Sequence, residues 1–360
     1  MTTDVLEKTS VSRAGATDQS WNAVDRFSQR LSMTRLILIV LVVYVHFPLD
    51  VPTERSLGMM TPLEPALIAN MTFLRFSVTI LTVMSGFLMF AKHADQQGMK
   101  TVVKKMRTLL VPFLFWNLSV VATLYLAQRL GILSGQEPDL LTADAKTWAD
   151  AALAWSTTPV NYPLYFLRDL FVISLIAVAA SRVVRASVVP VIAICVLCSE
   201  YNLDGTLILR TPMLIAFFIG AALAIHKVPL DALDRGLPYF ALLLAVACVA
   251  HYYYPHESTS LLISILGGLT VWTFTALLHR TPAMPKLVQL AKFAFPIYLI
   301  HGIILFGVLE LGVEISNSFT GFVLWLMLPL MIAVAGALLF RLFSLVLPQF
   351  ASFVTGGRGA

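Results

Sequence analysis

Two polar residues in the first apolar segment have the types and the spacing of a reaction site. Arg35 and His46 lie eleven residues apart in RLILIVLVVYVH. In an α-helix, eleven residues return to within about 20° of the starting direction and rise about 16 Å, so both side chains share one face. An imidazole suits general-base chemistry, whereas the arginine either binds an anion or extends to the water at the helix end. Asp50, four residues beyond His46, is predicted to orient the imidazole.

A second group of charged residues is predicted to bind substrate. Charged side chains are costly inside apolar helices, so each one suggests a function. The group is Arg75, Arg168, Asp169, Arg210 and Glu310. Three arginines outnumber the aspartate, and the surplus positive charge requires an anion or a further acid such as Glu310. The alternative is a buried network that only holds helices together.

Two further features are predicted to contact a donor molecule, together with Arg35. Lys104, Lys105 and Arg107 lead into the third apolar segment, where they either follow the general bias of cytoplasmic loops or bind a phosphate-rich ligand. His301 follows Tyr298 by about one turn in a later segment, and is either hydrogen-bonded within the core or part of the site. No arrangement of residues predicts a metal ion or a covalent enzyme intermediate.

The composition shows what kind of element must position these residues. Hydrophobic residues make up 58% of the 360 residues, charged residues only 12%, and the mean hydropathy is +0.82. Soluble domains are about 25% charged. The chain is therefore predicted to be an integral membrane protein, and a soluble enzyme, a disordered chain and a nucleic-acid binder are excluded. Three cysteines in apolar runs do not form a disulfide framework.

Ten segments approach the length of about 20 apolar residues that a helix needs to cross a bilayer. They are 31–50, 66–90, 107–128, 163–181, 187–200, 206–226, 237–254, 258–279, 293–311 and 320–347. The sequence therefore predicts an all-α polytopic integral membrane protein with about ten transmembrane helices. Helical spacing of Trp148, Ala152 and Trp155 also predicts a short surface helix within the long connection 129–162.

The positive charges predict the orientation of these helices. Most of the 25 lysines and arginines fall in connections on one side, which is the cytoplasmic side if the chain follows the positive-inside rule. Both termini are then cytoplasmic. We predict a mobile cytoplasmic tail over 1–30, a membrane domain over 31–347 and a cytoplasmic C-terminal tail over 348–360.

The chain resembles the acyltransferase 3 family of membrane O-acyltransferases over roughly 30–347. Arg35 and His46 match the Arg-x10-His pattern of that family. The further matching motifs are Ser85-Gly86-Phe87, Pro112 with Trp116, Tyr165-Phe166-Leu167-Arg168, Arg210 before Phe217-Phe218-Ile219-Gly220, and Tyr298 with His301. Arg75 before Ser85-Gly86 resembles the stand-alone members that act on bacterial exopolysaccharides.

The resemblance implies an enzyme that moves a small acyl group from cytoplasmic acyl-CoA to a sugar hydroxyl of an extracytoplasmic polysaccharide or its lipid-linked precursor. It implies a multi-pass protein of the bacterial cytoplasmic (inner) membrane, with acyl-CoA as donor substrate and no tightly bound cofactor. Its partners would be a cell-surface or secreted glycan and the lipid bilayer. On this basis His46 is the predicted general base, and the transferred group is acetyl or succinyl.

Two other functions remain open at this point. A secondary transporter of an anionic small molecule also uses many helices and buried arginines, although no internal repeat is visible in the sequence. A membrane sensor or assembly partner would carry out no catalysis and would tolerate substitution of His46.

Overall fold

The computed structural model is built from α-helices joined by turns and short 3₁₀ or π segments. It describes residues 26–47, 49, 61–133, 137–201, 203, 205–310, 315 and 318–358, and these residues contain no strand. The predicted all-α class is therefore confirmed for the part of the chain that is described. Most of the first thirty residues, and Asp50, lie outside that part.

Sixteen helices are described. The first eight are α1 Arg26–Val45, α2 Glu64–Met71, α3 Phe76–Ala91, α4 Met99–Lys105, α5 Val111–Arg129, α6 Ala145–Leu153, α7 Tyr165–Ala179 and α8 Ser181–Ala186. The others are α9 Val188–Glu200, α10 Pro212–Ile225, α11 Leu237–Tyr253, α12 Glu257–Leu278, α13 Met284–Leu290, α14 Ala294–Glu310, α15 Phe319–Val346 and α16 Pro348–Val354.

Each of the ten predicted membrane segments coincides with one of these helices or a joined pair of them. Seven stretches of the described chain are long and apolar enough to cross a bilayer. Helices α9, α10 and α11 are apolar but shorter, at 10–17 residues. The chain is therefore a polytopic all-α membrane protein. The short helix predicted in the long connection is α6.

Both ends of α1, the helix that carries Arg35 and leads into the turn at His46, are anchored. At its start, the Arg30 guanidinium forms ion pairs with Asp231 at 2.6 Å and Asp234 at 2.7 Å. At its end, the Asn70 amide donates to the carbonyls of Tyr44 and Phe47 at 3.3 Å each, and the Tyr44 carbonyl also accepts from the Phe47 amide at 3.1 Å. The described part of α1 therefore includes residues within the stretch predicted as a tail, and the turn at His46 is held by Asn70.

The C-terminal stretch 348–358 is not extended away from the bundle. Helix α16 packs on α5 and α15, and Ala351, Val354 and Thr355 are fully buried. The segment predicted as a tail is thus part of the packed structure as far as Arg358.

Helices α3 and α10 approach each other more closely than a β-carbon would permit. A Cβ at Gly86 would lie 2.0 Å from the Phe217 carbonyl oxygen, and one at Gly220 would lie 2.0 Å from the Val83 oxygen. Small residues allow such backbone contact between membrane helices, where packing supplies much of the association energy. The two glycines of the family motifs therefore set the spacing of this helix pair.

We expect Gly86→Ala to destabilise the protein by about 1–3 kcal/mol, because the added methyl group forces the two helices apart. The measurement is the apparent melting temperature of the purified protein in detergent. Gly307→Ala is the matched control, since nothing lies within 4 Å of a Cβ at that position. Equal melting temperatures for the two variants would show that the close approach is absent.

An ion pair outside the membrane-spanning segments joins the turn after α3 to α8. The Asp95 carboxylate accepts hydrogen bonds from the Arg185 Nε and Nη2 atoms and from the Ser181 hydroxyl, each at 2.7 Å. Burial raises the pKa of Asp95, but the hydrogen bonds from Arg185 and Ser181 outweigh it and hold that pKa below its ordinary value.

A carboxyl group with a depressed pKa in the folded state stabilises the fold above its unfolded pKa of about 3.9 and loses that effect as the pH falls through the folded pKa. We expect Asp95→Asn to cost about 1–3 kcal/mol at neutral pH, with the difference from wild type shrinking below about pH 4. Thermal melting across a pH series checks this. A difference that stays constant down to pH 3 would contradict it.

Candidate active site

His46 lies in the turn that follows α1, and a backbone contact determines which tautomer its neutral ring adopts. The Nδ1 atom lies 2.7 Å from the Val42 carbonyl oxygen. A carbonyl only accepts hydrogen bonds, so Nδ1 must carry the proton and donate it. In the neutral ring the lone pair is then on Nε2, which is the nitrogen a general base uses.

A second histidine lies directly beside it. The His301 ring centroid is 5.3 Å from that of His46, with the planes inclined by 63°. His301 is fully buried, and its Nδ1 contacts the Tyr298 carbonyl at 2.7 Å, so its lone pair is also on Nε2. This Nε2 has no hydrogen-bond partner among the described residues. A buried acceptor without a partner costs free energy, which makes it a position for a substrate group.

A row of neighbouring rings runs along α14 and ends at the two histidines. Phe295, Tyr298 and His301 follow one another at three-residue spacing, so they share one face of the helix. Ring centroids lie 6.3 Å apart for Phe295 and Tyr298 and 5.8 Å apart for Tyr298 and His301. The Tyr298 hydroxyl donates to the Pro163 carbonyl and is held in place. The row ends at His46.

Tyr162 continues this contact on the other side of His46. Its ring centroid lies 5.9 Å from the imidazole. Its hydroxyl accepts a hydrogen bond from Arg210 Nη2 at 2.7 Å, and the same guanidinium lies 5.5 Å from the Tyr165 ring centroid. Tyr162 was not among the site residues predicted from the sequence. Its spacing of three residues before Tyr165 was the available signal.

Arg75 is the second arginine close to the imidazole. Its side chain is exposed, its Nε donates to the Asn70 carbonyl at 3.2 Å, and its charge acts on His46. The structure thus places two of the predicted substrate-binding arginines, Arg75 and Arg210, around the predicted base. Their predicted role in binding substrate stays a prediction.

Arg168 and Asp169 are enclosed by protein groups. Their side chains form an ion pair at 2.9 Å, and Asp169 is fully buried. Arg168 also donates to the carbonyls of Leu207 at 2.6 Å, Thr206 at 3.0 Å and Trp155 at 3.3 Å. Asp169 accepts from the backbone amides of Leu209 at 3.2 Å and Arg210 at 2.9 Å.

These contacts hold the loop 206–210 before α10 and so position Arg210. The prediction that Arg168 and Asp169 bind substrate themselves stays a prediction. Glu310 is exposed at the last residue of α14, and no contact among the described residues joins it to the His46 group. Asp50, predicted to orient the imidazole, lies outside the described residues, whereas the Val42 carbonyl performs that task here.

The basic residues among the predicted donor-binding set lie in the first half of α1, at the end of α4 and in the π segment that follows it, whereas Tyr298 and His301 lie beside His46. Arg35 is accessible to solvent although it is surrounded by protein, as expected for a residue that lines a crevice. Lys104 and Arg107 are exposed, and Lys105 is half-buried. We call the surface formed by Arg35, Lys104, Lys105 and Arg107 the basic entrance. The helix that carries Arg35 leads from it to His46.

A cavity of about 390 Å³ adjoins the His46 group on the predicted outer side. Tyr162 belongs to its wall as well as to the imidazole contact. The other lining residues come from the long connection: Glu137, Pro138, Thr147, Asp150, Ala151, Thr157, Thr158, Pro159 and Val160. A larger opening of about 450 Å³ at His251, Pro255, His256 and Ser260 shares no residue with this group.

Metal chemistry has no candidate ligands in the part of the chain that the structure describes. No group of three histidine, cysteine or acidic residues there could hold an ion.

Comparison with known proteins identifies the family of the chain. A family model described as an acyltransferase domain matches residues 29–347. The chain is 33% identical over 292 residues to the succinoglycan biosynthesis protein ExoH of Rhizobium meliloti (strain 1021), covering 76% of this chain and 77% of that protein. No solved structure matches the chain. The matched range contains Arg35, His46 and His301, and it also contains Arg75, Arg168 and Arg210. The chain belongs to the acyltransferase 3 family.

Proposed function

We propose that this protein is an acyl-CoA-dependent O-acyltransferase of the bacterial inner membrane that modifies an extracytoplasmic glycan. The observation that carries the proposal is His46, whose proton sits on Nδ1 and whose Nε2 is the free base of the site. Membership of an acyltransferase family and the similarity to a succinoglycan biosynthesis protein support the reaction type.

The reaction is a direct transfer in one displacement. His46 Nε2 removes the proton of a sugar hydroxyl, and the oxygen attacks the thioester carbonyl carbon. The tetrahedral intermediate collapses, the carbon–sulfur bond breaks, and the proton on Nε2 passes to the departing thiolate. The products are the O-acyl ester and free coenzyme A.

Arg75 is placed to stabilise the negative charge that develops on the thioester oxygen. Its charge already acts on His46, and a cation held in place near the reacting carbonyl stabilises such a developing charge. Arg210 reaches the same region through Tyr162. The orphaned Nε2 of His301 accepts a hydrogen bond from the donor or the acceptor.

The donor enters from the side of Arg35 with its phosphates among the basic residues at the end of α4 and in the π segment that precedes α5. The pantetheine arm follows the face formed by Phe295, Tyr298 and His301 and brings the thioester to His46. The arrangement supports a donor from the cytoplasm, because the positive-inside rule assigns this end of α1 to that side.

The acceptor approaches from the outer side, where the cavity beside Tyr162 is lined by hydroxyl, carboxyl and aromatic groups suited to a sugar. The named product of the relative's pathway, succinoglycan, supports an exopolysaccharide or its lipid-linked precursor as acceptor. The acyl group is acetyl or succinyl. Arg75 suits the free carboxylate of a succinyl group.

Mass spectrometry of envelope and secreted glycans from a deletion strain tests the proposal. Wild-type protein should restore an acetyl or succinyl substituent that His46→Ala does not restore. Unchanged acylation in the deletion strain would overturn the proposal that the protein is an acyltransferase. Uptake of an anionic solute into liposomes without acyl-CoA would then identify a secondary transporter.

A further inference from the structure

The segment beyond residue 347 lies outside the family match yet folds back onto the basic entrance. Helix α16 is buried at Ala351 and Val354. The Trp116 indole Nε1 donates to the Val354 carbonyl at 3.2 Å, which ties the end of α16 to α5. The residues at the end of α16 are therefore held against α5.

Two glycines then turn the chain toward the entrance. Gly356 and Gly357 have φ angles of +63° and +80°, a conformation that side chains disfavour. A Cβ at Gly356 would lie 2.6 Å from the Thr108 Cα and 2.7 Å from the Arg107 carbonyl oxygen. Only glycine permits this contact with the start of the third membrane segment, and the turn delivers Arg358 to the same place.

Arg358 joins a group of cations that has no carboxylate partner among the described residues. Its guanidinium carbon lies 4.4 Å from the Phe295 ring centroid, although the residue as a whole is exposed. The charges of Arg35 and Lys105 both act on it. Burial, followed by the charge of Arg35, lowers the pKa of Arg358 to about 10. Three like charges repel unless a multivalent anion binds between them.

We propose that Arg358 binds a phosphate of the coenzyme A donor, so that the C-terminal segment completes the donor site together with Arg35 and Lys105. This inference rests on the proposed function. Its position over Phe295 places Arg358 at the first ring of the aromatic row that ends at His46. The nucleotide end of the donor is held here while its thioester reaches the base.

A phosphate can also come from an acidic phospholipid, so the test must separate the two sources. The probes are acyl-CoA, acyl-dephospho-CoA and S-acyl-pantetheine, assayed with full-length protein in phosphatidylcholine nanodiscs. The variants are Arg358→Gln and Arg358→Lys. Arg280→Gln is the control, because Arg280 is also exposed and is predicted to lie on the same side of the membrane.

We expect Arg358→Gln to raise the KM for acyl-CoA about tenfold, the usual cost of one charge-assisted hydrogen bond, with kcat little changed. Use of S-acyl-pantetheine, which has no nucleotide phosphates, should be unaffected. Arg358→Lys should restore most of the affinity, and Arg280→Gln should behave as wild type. Equal melting temperatures would show that all variants fold.

Three results would overturn the inference. One is an unchanged KM for acyl-CoA in Arg358→Gln while wild type transfers normally, which leaves the proposed function intact. Another is an equal loss with S-acyl-pantetheine, which indicates a structural role. The third is a defect that appears only when phosphatidylglycerol is present, which assigns the phosphate to lipid. Absence of transfer by wild type from any acyl-CoA would overturn the proposed function and this inference together.

Discussion

His46→Gln should lower acyl transfer by about 10²–10⁴-fold, the range that a positioned general base supplies. The amide of glutamine approximates the size and polarity of the imidazole but cannot take up a proton. The Val42 carbonyl fixes the proton of the native ring on Nδ1, so Nε2 is the base that the substitution removes. The measurement is the single-turnover rate with purified protein and saturating acyl-CoA.

The His46→Gln variant should still fold and bind its donor. His46 lies in the turn after α1, and the Asn70 amide holds that turn independently of the imidazole. Acyl-CoA affinity within a factor of about three of wild type would separate a chemical defect from a binding defect. His226→Gln is the matched control, since His226 is exposed at the end of α10. Wild-type turnover by His46→Gln would remove this residue from the mechanism.

The sequence predicted the helices well because their signal is local. A run of apolar residues long enough to cross the membrane carries its own evidence, and all ten predicted segments correspond to helices. The shared face of Arg35 and His46 was predictable for the same reason, since helical geometry alone relates them. The anchoring of the first half of α1 was less predictable. It depends on Arg30, whose partners Asp231 and Asp234 are about two hundred residues away in the chain.

The composition of the site depended on contacts that no local pattern contains. Arg168 and Asp169 were predicted as substrate ligands because buried charges suggest function, yet their partners include backbone carbonyls and amides from distant residues. Sequence patterns do not show where such groups will be. Tyr162 and Arg358 were missed for a related reason: each reaches the site through a turn, at Asn161–Pro163 and at Gly356–Gly357.

Asp169→Ala should destabilise the protein by about 3–5 kcal/mol, because it leaves the Arg168 guanidinium buried without its counter-ion. Asp169 is fully buried and also accepts from the amides of Leu209 and Arg210, so two backbone donors lose their partner as well. Thermal melting of the purified protein is the measurement. Asp144→Ala, which affects an exposed helix cap, should cost only about 1 kcal/mol.

Activity tests whether this pair works through Arg210. If the pair positions the loop before α10, Asp169→Asn should keep part of the stability, because the single amide oxygen still accepts from one of the two backbone donors. It should nevertheless reduce transfer through the displaced Arg210 and Tyr162. Adding Arg210→Ala to Asp169→Asn should then lower activity little further, since residues that act through one another are not additive. Fully additive losses would show that Asp169 acts independently of Arg210, and its predicted role as a direct substrate ligand would become the better explanation.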